Sequence, residues 1–257
     1  MKRDQDLAFV DIGNTSAKVA VVSETELIVE SHVYQNTNWH QSVSQFPKVI
    51  TGSTPKQWLI ASVNQERSKT LEVAIGNNQD DPVIHRIRHQ DVPLSTAVDH
   101  PDQLGIDRLL GGFMASTLFD PPLIVVSFGT AVTIDWIDSE GNFAGGSILP
   151  GIQLQTESLA LRTERLPEVK WTKSGPISLP GKNTSDAIRS GVILGLASAI
   201  DGMINQYAEQ NSIAAGKIRT VITGGDAEWV TPYLKSPHLP QSNLVCHALW
   251  ELSKRKP

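Results

Sequence analysis

Cysteine is almost absent from this sequence: Cys246 stands alone among 257 residues. A single thiol builds no disulfide framework and no cysteine-based zinc site, so a cytoplasmic setting is expected. Basic residues are in deficit too, with 22 Lys and Arg against 27 Asp and Glu and a net charge of -5. Nonspecific nucleic-acid binding requires a basic surface, and no nucleic-acid partner is expected. No apolar run approaches the roughly 20 residues of a membrane span, so no membrane partner is expected either. Leu7 to Val10 is too short for the apolar part of a secretion signal and runs directly into Asp11. Neither the Walker string Gly-x-x-x-x-Gly-Lys-Ser/Thr nor the Rossmann Gly-x-Gly-x-x-Gly occurs. The remaining composition, 40% hydrophobic and 19% charged, suits a packed core in one large domain or two lobes.

Leu7 to Val10 reads as a buried strand, Asp11 to Thr15 as a turn, and Ala17 to Val22 as a second strand. The pattern recurs. Leu123 to Val126, a turn over Ser127 to Ala131, and Val132 to Ile137 form a similar hairpin. Aligning Gly13 with Gly129 sets Asp11 against Ser127 and Asn14 against Thr130. Two such hairpins, nearly half the chain apart, point to a duplicated architecture, with chance similarity of two short hairpins as the competing reading. Pro121-Pro122 marks the expected boundary, dividing the chain into lobes of residues 1–120 and 121–257.

Between the hairpins, Leu59 to Val63 reads as a strand, residues 76–82 as a polar loop, and Leu104 to Leu118 as a helix. Gly145 to Gly151 reads as a turn cluster that leads into a helix over Gln153 to Arg165. Asn183, Thr184 and Ser185 offer caps to a helix reaching about Gln210. Within it Gly191, Gly195 and Ala199 leave a groove of small residues, and Arg189 and Asp201 make it a poor membrane span. Ile218 to Thr223 reads as a strand ending at Gly224-Gly225, glycines that would allow close approach of a flat ligand such as adenine, or simply make a turn.

A triphosphate needs convergent N–H donors and a carboxylate for its magnesium ion. Gly13 lets backbone N–H groups reach phosphate oxygens unobstructed. Asn14, Thr15 and Ser16 add side-chain donors, Lys18 an ammonium, and Asp11 a candidate metal carboxylate. An ordinary hairpin turn is the alternative for this motif taken alone. Gly105-Ile106-Asp107-Arg108 opens a helix, whose positive N-terminal field favours an ionised Asp107. Such a carboxylate can accept a proton from a substrate hydroxyl, or can be a helix-start residue paired with Arg108.

Together these motifs resemble the type III pantothenate kinases, within the superfamily of acetate kinase, sugar kinases, hsp70 and actin. The resemblance rests on Asp11 to Thr15, Gly105 to Arg108, Gly129 to Asp135, Gly145 to Gly151, Asn183-Thr184 and Thr223 to Gly225, in the family's order. It implies an α/β fold of two ribonuclease-H-like lobes, a duplicated actin-like ATPase fold with an active-site cleft between the lobes. It implies a homodimer that transfers phosphate from ATP with Mg2+ to pantothenate, opening coenzyme A synthesis. Asp11, Ile12, Gly13, Asn14, Thr15, Ser16, Ala17, Lys18 and Thr130 would bind ATP. Gly105, Ile106, Asp107 and Arg108 would line the pantothenate site, with Asp107 as proton acceptor and Thr184 as a further contact.

Two positions depart from the family. Ser127 stands where the family carries an Asp that helps bind potassium or ammonium, and a hydroxyl is a weaker ligand for a hard cation than a carboxylate. No metal site is assigned there. Val98 stands where the family often carries Tyr. A non-catalytic nucleotide-binding relative, or a kinase for another hydroxy-acid or polyol, therefore stays open at this point.

Overall fold

The computed structural model describes residues 6–171 and 177–255. The chain divides into two units. The first runs to Leu118 and takes in the segment from Asn243 onward; the second covers Phe119–Ser242.

The first unit contains β1 (Leu7–Ile12), β2 (Ser16–Ser23), β3 (Glu26–Val33), α1 (Trp39–Thr51), β4 (Gln57–Ser62), α2 (Gln65–Asn78), β5 (Val83–Arg86) and α3 (Ile106–Leu118). The second contains β6 (Leu123–Phe128), β7 (Ala131–Ile137), β8 (Phe143–Pro150), α4 (Ile152–Arg162), α5 (Thr184–Gln210), β9 (Arg219–Gly224), α6 (Ala227–Val230) and β10 (Leu239–Pro240). The last helix, α7 (Leu244–Arg255), belongs to the first unit.

The two sheets repeat one another. The first has the order β3-β2-β1-β4-β5 and the second β8-β7-β6-β9-β10. In each, three leading strands form an antiparallel meander, and two later strands add in parallel beside the first. The fold is thus α/β and duplicated, as the paired hairpins implied. Parallel addition requires crossovers, and helices supply them.

In the first sheet, Val10, Ile12, Val19, Val21, Trp58 and Ile60 face α1 and α2, where Trp39, Val43, Phe46, Leu71 and Ile75 complete one core layer. Helices α3 and α7 pack on each other, and α7 also packs on β1, β2 and β4. The expected boundary at Pro121-Pro122 leaves residues 121–257 in a single lobe. The stripe Leu244, Cys246, Ala248, Leu249 and Leu252 is buried on α7, and that burial groups the helix with the first unit.

In the second sheet, Ile124, Val126, Phe128, Val132 and Ile134 pack against Ile188, Val192, Ile193, Leu196, Ile200 and Ile204 of α5. That helix is long and apolar enough to cross a membrane by length and composition. Its buried stripe makes it the core helix of this unit. Its start agrees with the sequence: Asn183 caps it by accepting from the Asp186 N–H at 2.9 Å.

Two local readings are corrected. Gly145 to Gly151 is mostly strand β8, not a turn cluster. Its glycines serve a β-bulge, with Gly145 at φ +117° beside a register shift at Trp136 and Ile137. Residues 76–78 continue α2, so the polar loop begins only after Asn78.

Candidate active site

The first hairpin places Asp11 on β1 directly across from Lys18 on β2 and beside Ala61 on β4. Gly13 closes the turn, its N–H donating to Ser16 O at 3.0 Å. Three carbonyls of this turn are held from outside. Val63 N–H donates to Ile12 O at 3.1 Å, Tyr34 Oη to Gly13 O at 3.0 Å, and Tyr34 N–H to Thr15 O at 3.1 Å. A turn so fixed presents its N–H groups in set directions, because each peptide plane is rigid.

Asp11 keeps slight solvent contact yet is enclosed enough for burial to dominate its ionisation. Burial, then the neighbouring Asp107 carboxylate, raises its pKa from 3.8 to about 6, while Lys18 acts the other way. Asp107 lies in the first turn of α3 and is also raised, by burial foremost. The Arg108 N–H opposes that rise by donating to Asp107 Oδ1 at 2.9 Å. Gly105 has a steric reason for being glycine: a Cβ there would stand 2.5 Å from Asp107 Oδ1. The fold therefore brings together Asp11, Lys18, Asp107 and Arg108, which the sequence separates by almost a hundred residues. Their mixed charges suit a polyanion, a metal ion and a hydroxyl awaiting deprotonation.

The second hairpin is built differently. Ser127 on β6 opposes Thr133 on β7 and Thr223 on β9. Thr133 Oγ1 donates to a carboxylate oxygen of the buried Asp135 at 3.1 Å. The turn is shorter, with Gly129 N–H donating to Ala131 O at 3.1 Å. Thr130 is exposed at its tip, and its carbonyl accepts from Gly151 N–H at 3.0 Å. Added Cβ atoms would lie 2.0 Å from Gly129 O at Gly151, and 2.0 Å from Phe128 O at Gly224. Both glycines thus let neighbouring backbone close on this turn. Gly224, read from sequence as an approach point for a flat ligand, has a packing role of its own. Thr184 sits exposed at the start of α5. Thr130 and Thr184 both belong to the second unit, whereas the other candidate residues belong to the first.

Sequence reasoning missed Tyr34 and Arg67. Neither lies in a recognisable motif; only their contacts expose them. The Arg67 guanidinium sits 3.8 Å from the centroid of the Tyr34 ring, and Trp39 meets the same ring edge-on at 4.8 Å.

Comparison with known proteins identifies the motif set. A family model described as type III pantothenate kinase matches residues 7–206. A type III pantothenate kinase from Rhodopirellula baltica is 36% identical over 203 residues, covering 75% of this chain and 70% of its own. Another, from Thermus thermophilus, is 33% identical over 239 residues, 88% of this chain and 90% of its own. A solved structure from Campylobacter jejuni, described as a Baf family transcriptional activator, matches with a TM-score of 0.58 at 21% identity. It covers 96% of this chain and 97% of its own, and that likeness speaks to the fold alone.

Proposed function

The chain belongs to the type III pantothenate kinase family, and on that premise we propose that it phosphorylates the primary hydroxyl of pantothenate from ATP, with the following division of labour. The hairpin from Asp11 to Lys18 holds the ATP phosphates: Gly13 opens the turn, and Asn14, Thr15, Ser16 and Lys18 supply donors and charge. Thr130 adds a contact from the second hairpin. Asp107 accepts the hydroxyl proton, while Gly105, Ile106, Arg108 and Thr184 form the pantothenate side.

The observation that carries this reading is the pairing of Asp11 with Asp107. Two enclosed carboxylates, both raised by burial and one raised further by the other's charge, favour a cation between or beside them. Hard oxygen donors of this kind fit Mg2+, with Asp11 as its holder, directly or through water. The ion would neutralise phosphate charge as the terminal phosphoryl group transfers. Asp107 does the proton work. Its raised pKa makes it a better proton acceptor than an ordinary aspartate, and Gly105 leaves its carboxylate room to be positioned.

The working form is a cytoplasmic homodimer. Along α5, Cβ atoms added at Gly191, Gly195 or Gly202 would meet open space. Ile148, Leu154 and Leu161 add exposed apolar side chains on β8 and α4. A second copy covering these faces would explain both. The family resemblance implies potassium or ammonium as well, but Ser127 offers a hydroxyl where the family carries a carboxylate, so no site for that ion is assigned.

The test measures ADP release with ATP, Mg2+ and pantothenate, with and without potassium or ammonium. Pantothenate-dependent turnover in the wild type and its near-complete loss in Asp107→Ala are expected. Wild-type turnover by Asp107→Ala would refute the assignment. Light scattering behind a sizing column reads the mass, and a monomer at working concentrations would remove the dimer.

A further inference from the structure

The hairpin from Ile12 to Ser16 is braced from outside as well as by its own Gly13 N–H to Ser16 O bond. Its outer carbonyls lean on two residues from elsewhere in the first unit. Tyr34, just after β3, makes two bonds to it: Oη donates to Gly13 O at 3.0 Å and N–H to Thr15 O at 3.1 Å. The phenol ring has two further neighbours. Trp39 meets one side edge-on, with centroids 4.8 Å apart and planes at 64°. The Arg67 guanidinium covers it at 3.8 Å from the centroid. Arg67 itself is anchored in the first turn of α2, where its N–H donates to the Asn64 side chain at 3.1 Å. The loop before α2 returns to the hairpin through Val63 N–H and Ile12 O.

Peptide geometry gives this arrangement a consequence. In a trans peptide the carbonyl of one residue and the N–H of the next point in opposite directions. Holding Gly13 O toward Tyr34 therefore aims the Asn14 N–H away from Tyr34, at the other side of the turn. The same logic applies to Thr15 O and the Ser16 N–H. Guanidinium over the ring adds attraction that persists at a partly buried site, and a positive charge close to the turn.

We propose that Tyr34 and Arg67 form a positioning clamp for the nucleotide: Tyr34 sets the Gly13–Asn14 peptide plane so that its N–H faces the phosphates, and Arg67 locks the tyrosine in place. This rests on the reading that the hairpin holds ATP. The clamp touches hairpin carbonyls only, so it acts through the turn and is selective for ATP over pantothenate.

Tyr34→Phe is the discriminating variant, because it removes one hydroxyl and keeps the ring for Trp39 and Arg67. The loss of one partly buried hydrogen bond predicts a rise in KM for ATP of about three- to tenfold. The kcat and the KM for pantothenate stay near wild type, as for loss of uniform binding. Arg67→Ala gives a similar ATP-selective rise, and Arg67→Lys restores only part of it, since an ammonium does not stack as a guanidinium does. Lys18→Ala serves as the control for the underlying reading. If Lys18→Ala raises the ATP KM while Tyr34→Phe and Arg67→Ala leave it alone, the clamp is wrong and the hairpin reading stands. If Lys18→Ala leaves the ATP KM unchanged, the hairpin reading fails and the clamp fails with it. If Tyr34→Phe raises both substrate KM values together and lowers the melting temperature, the residue is structural and the clamp is again overturned.

Discussion

The two hairpins occupy equivalent places in equivalent sheets, yet they are electrostatically unlike. In the first, a carboxylate, Asp11, faces an ammonium, Lys18. In the second, two hydroxyls, Ser127 and Thr133, face each other. The first turn is braced by side-chain and backbone donors from Tyr34, the second by glycine-permitted backbone approach at Gly151 and Gly224. The two units thus share strand order and turn position but differ in the charge at the paired positions beside each turn.

The largest effect is expected at Asp107, in the first unit. Asp107→Asn keeps the size and the bond from Arg108 N–H but removes the proposed proton acceptor. A fall in the single-turnover rate of about 10²- to 10⁴-fold is expected. Retention of turnover within tenfold would move the base elsewhere.

Asp11→Asn gives the first hairpin a neutral side chain at the place where the second has Ser127. Turnover is expected to fall on the order of 10²-fold as metal-linked charge stabilisation is lost. Stability moves the other way. The folded pKa of Asp11 lies above its ordinary 3.8, at about 6, so its charged form is disfavoured in the free protein. That cost is fully present above about pH 6 and disappears below about pH 4, where both states carry the proton. Allowing for partial solvent screening, Asp11→Asn should stabilise the ligand-free protein by roughly 2 kcal/mol at pH 8 and by little at pH 4. Urea melts at the two pH values check this. A gain that grew toward acid would contradict it. Wild-type ATP affinity should likewise weaken as pH falls through about 6.

The bracing can be tested separately from the charge. Gly151→Ala drives a methyl into the Gly129 and Thr130 backbone, with 2.0 Å available. Backbone has no rotamer to yield, and a loss of about 3 kcal/mol is expected. Gly129→Ala meets its nearest neighbour at 3.8 Å, an ordinary contact. Its cost should stay within about 1 kcal/mol. Equal melting midpoints for the two variants would refute the close-approach account.

The duplication was legible because its strands are continuous apolar runs bounded by small polar turns. Strand β3 was not, since Glu26, Glu30, Ser31 and His32 interrupt its apolar positions and half its length faces solvent. Helix α1 has no side-chain cap bond at its start and carries Pro47 internally, so only its end, at Gly52 in the left-handed region, bears a sequence signal. Strand β8 was hidden by glycines that serve a bulge rather than a turn. Ungapped alignment of the hairpins set Lys18 against Ile134. The observed registers set it against Thr133, because the second turn is a residue shorter. The candidate residues near Asp11 could be named from motifs. Their mutual charge effects and the support from Tyr34 and Arg67 could not, since those arise only when distant segments meet.

The subtlest test restores the missing symmetry. Ser127→Asp gives the second hairpin a carboxylate where the first has Asp11, and where the family pattern has one. Ser127 opposes Thr133, whose hydroxyl is bonded to the buried Asp135, so the new carboxylate would share a sheet face with an existing one. Two carboxylates confined together repel unless a cation joins them. The variant should therefore melt lower than wild type in choline chloride and recover in potassium chloride at equal ionic strength. Its half-activating potassium concentration should fall about three- to tenfold, the gain of one charged ligand. Wild type, with a hydroxyl at this place, should show a shallower response to the same exchange of salts. If both proteins melt and turn over alike in the two salts, Ser127 is not the point at which the hairpins differ in cation binding.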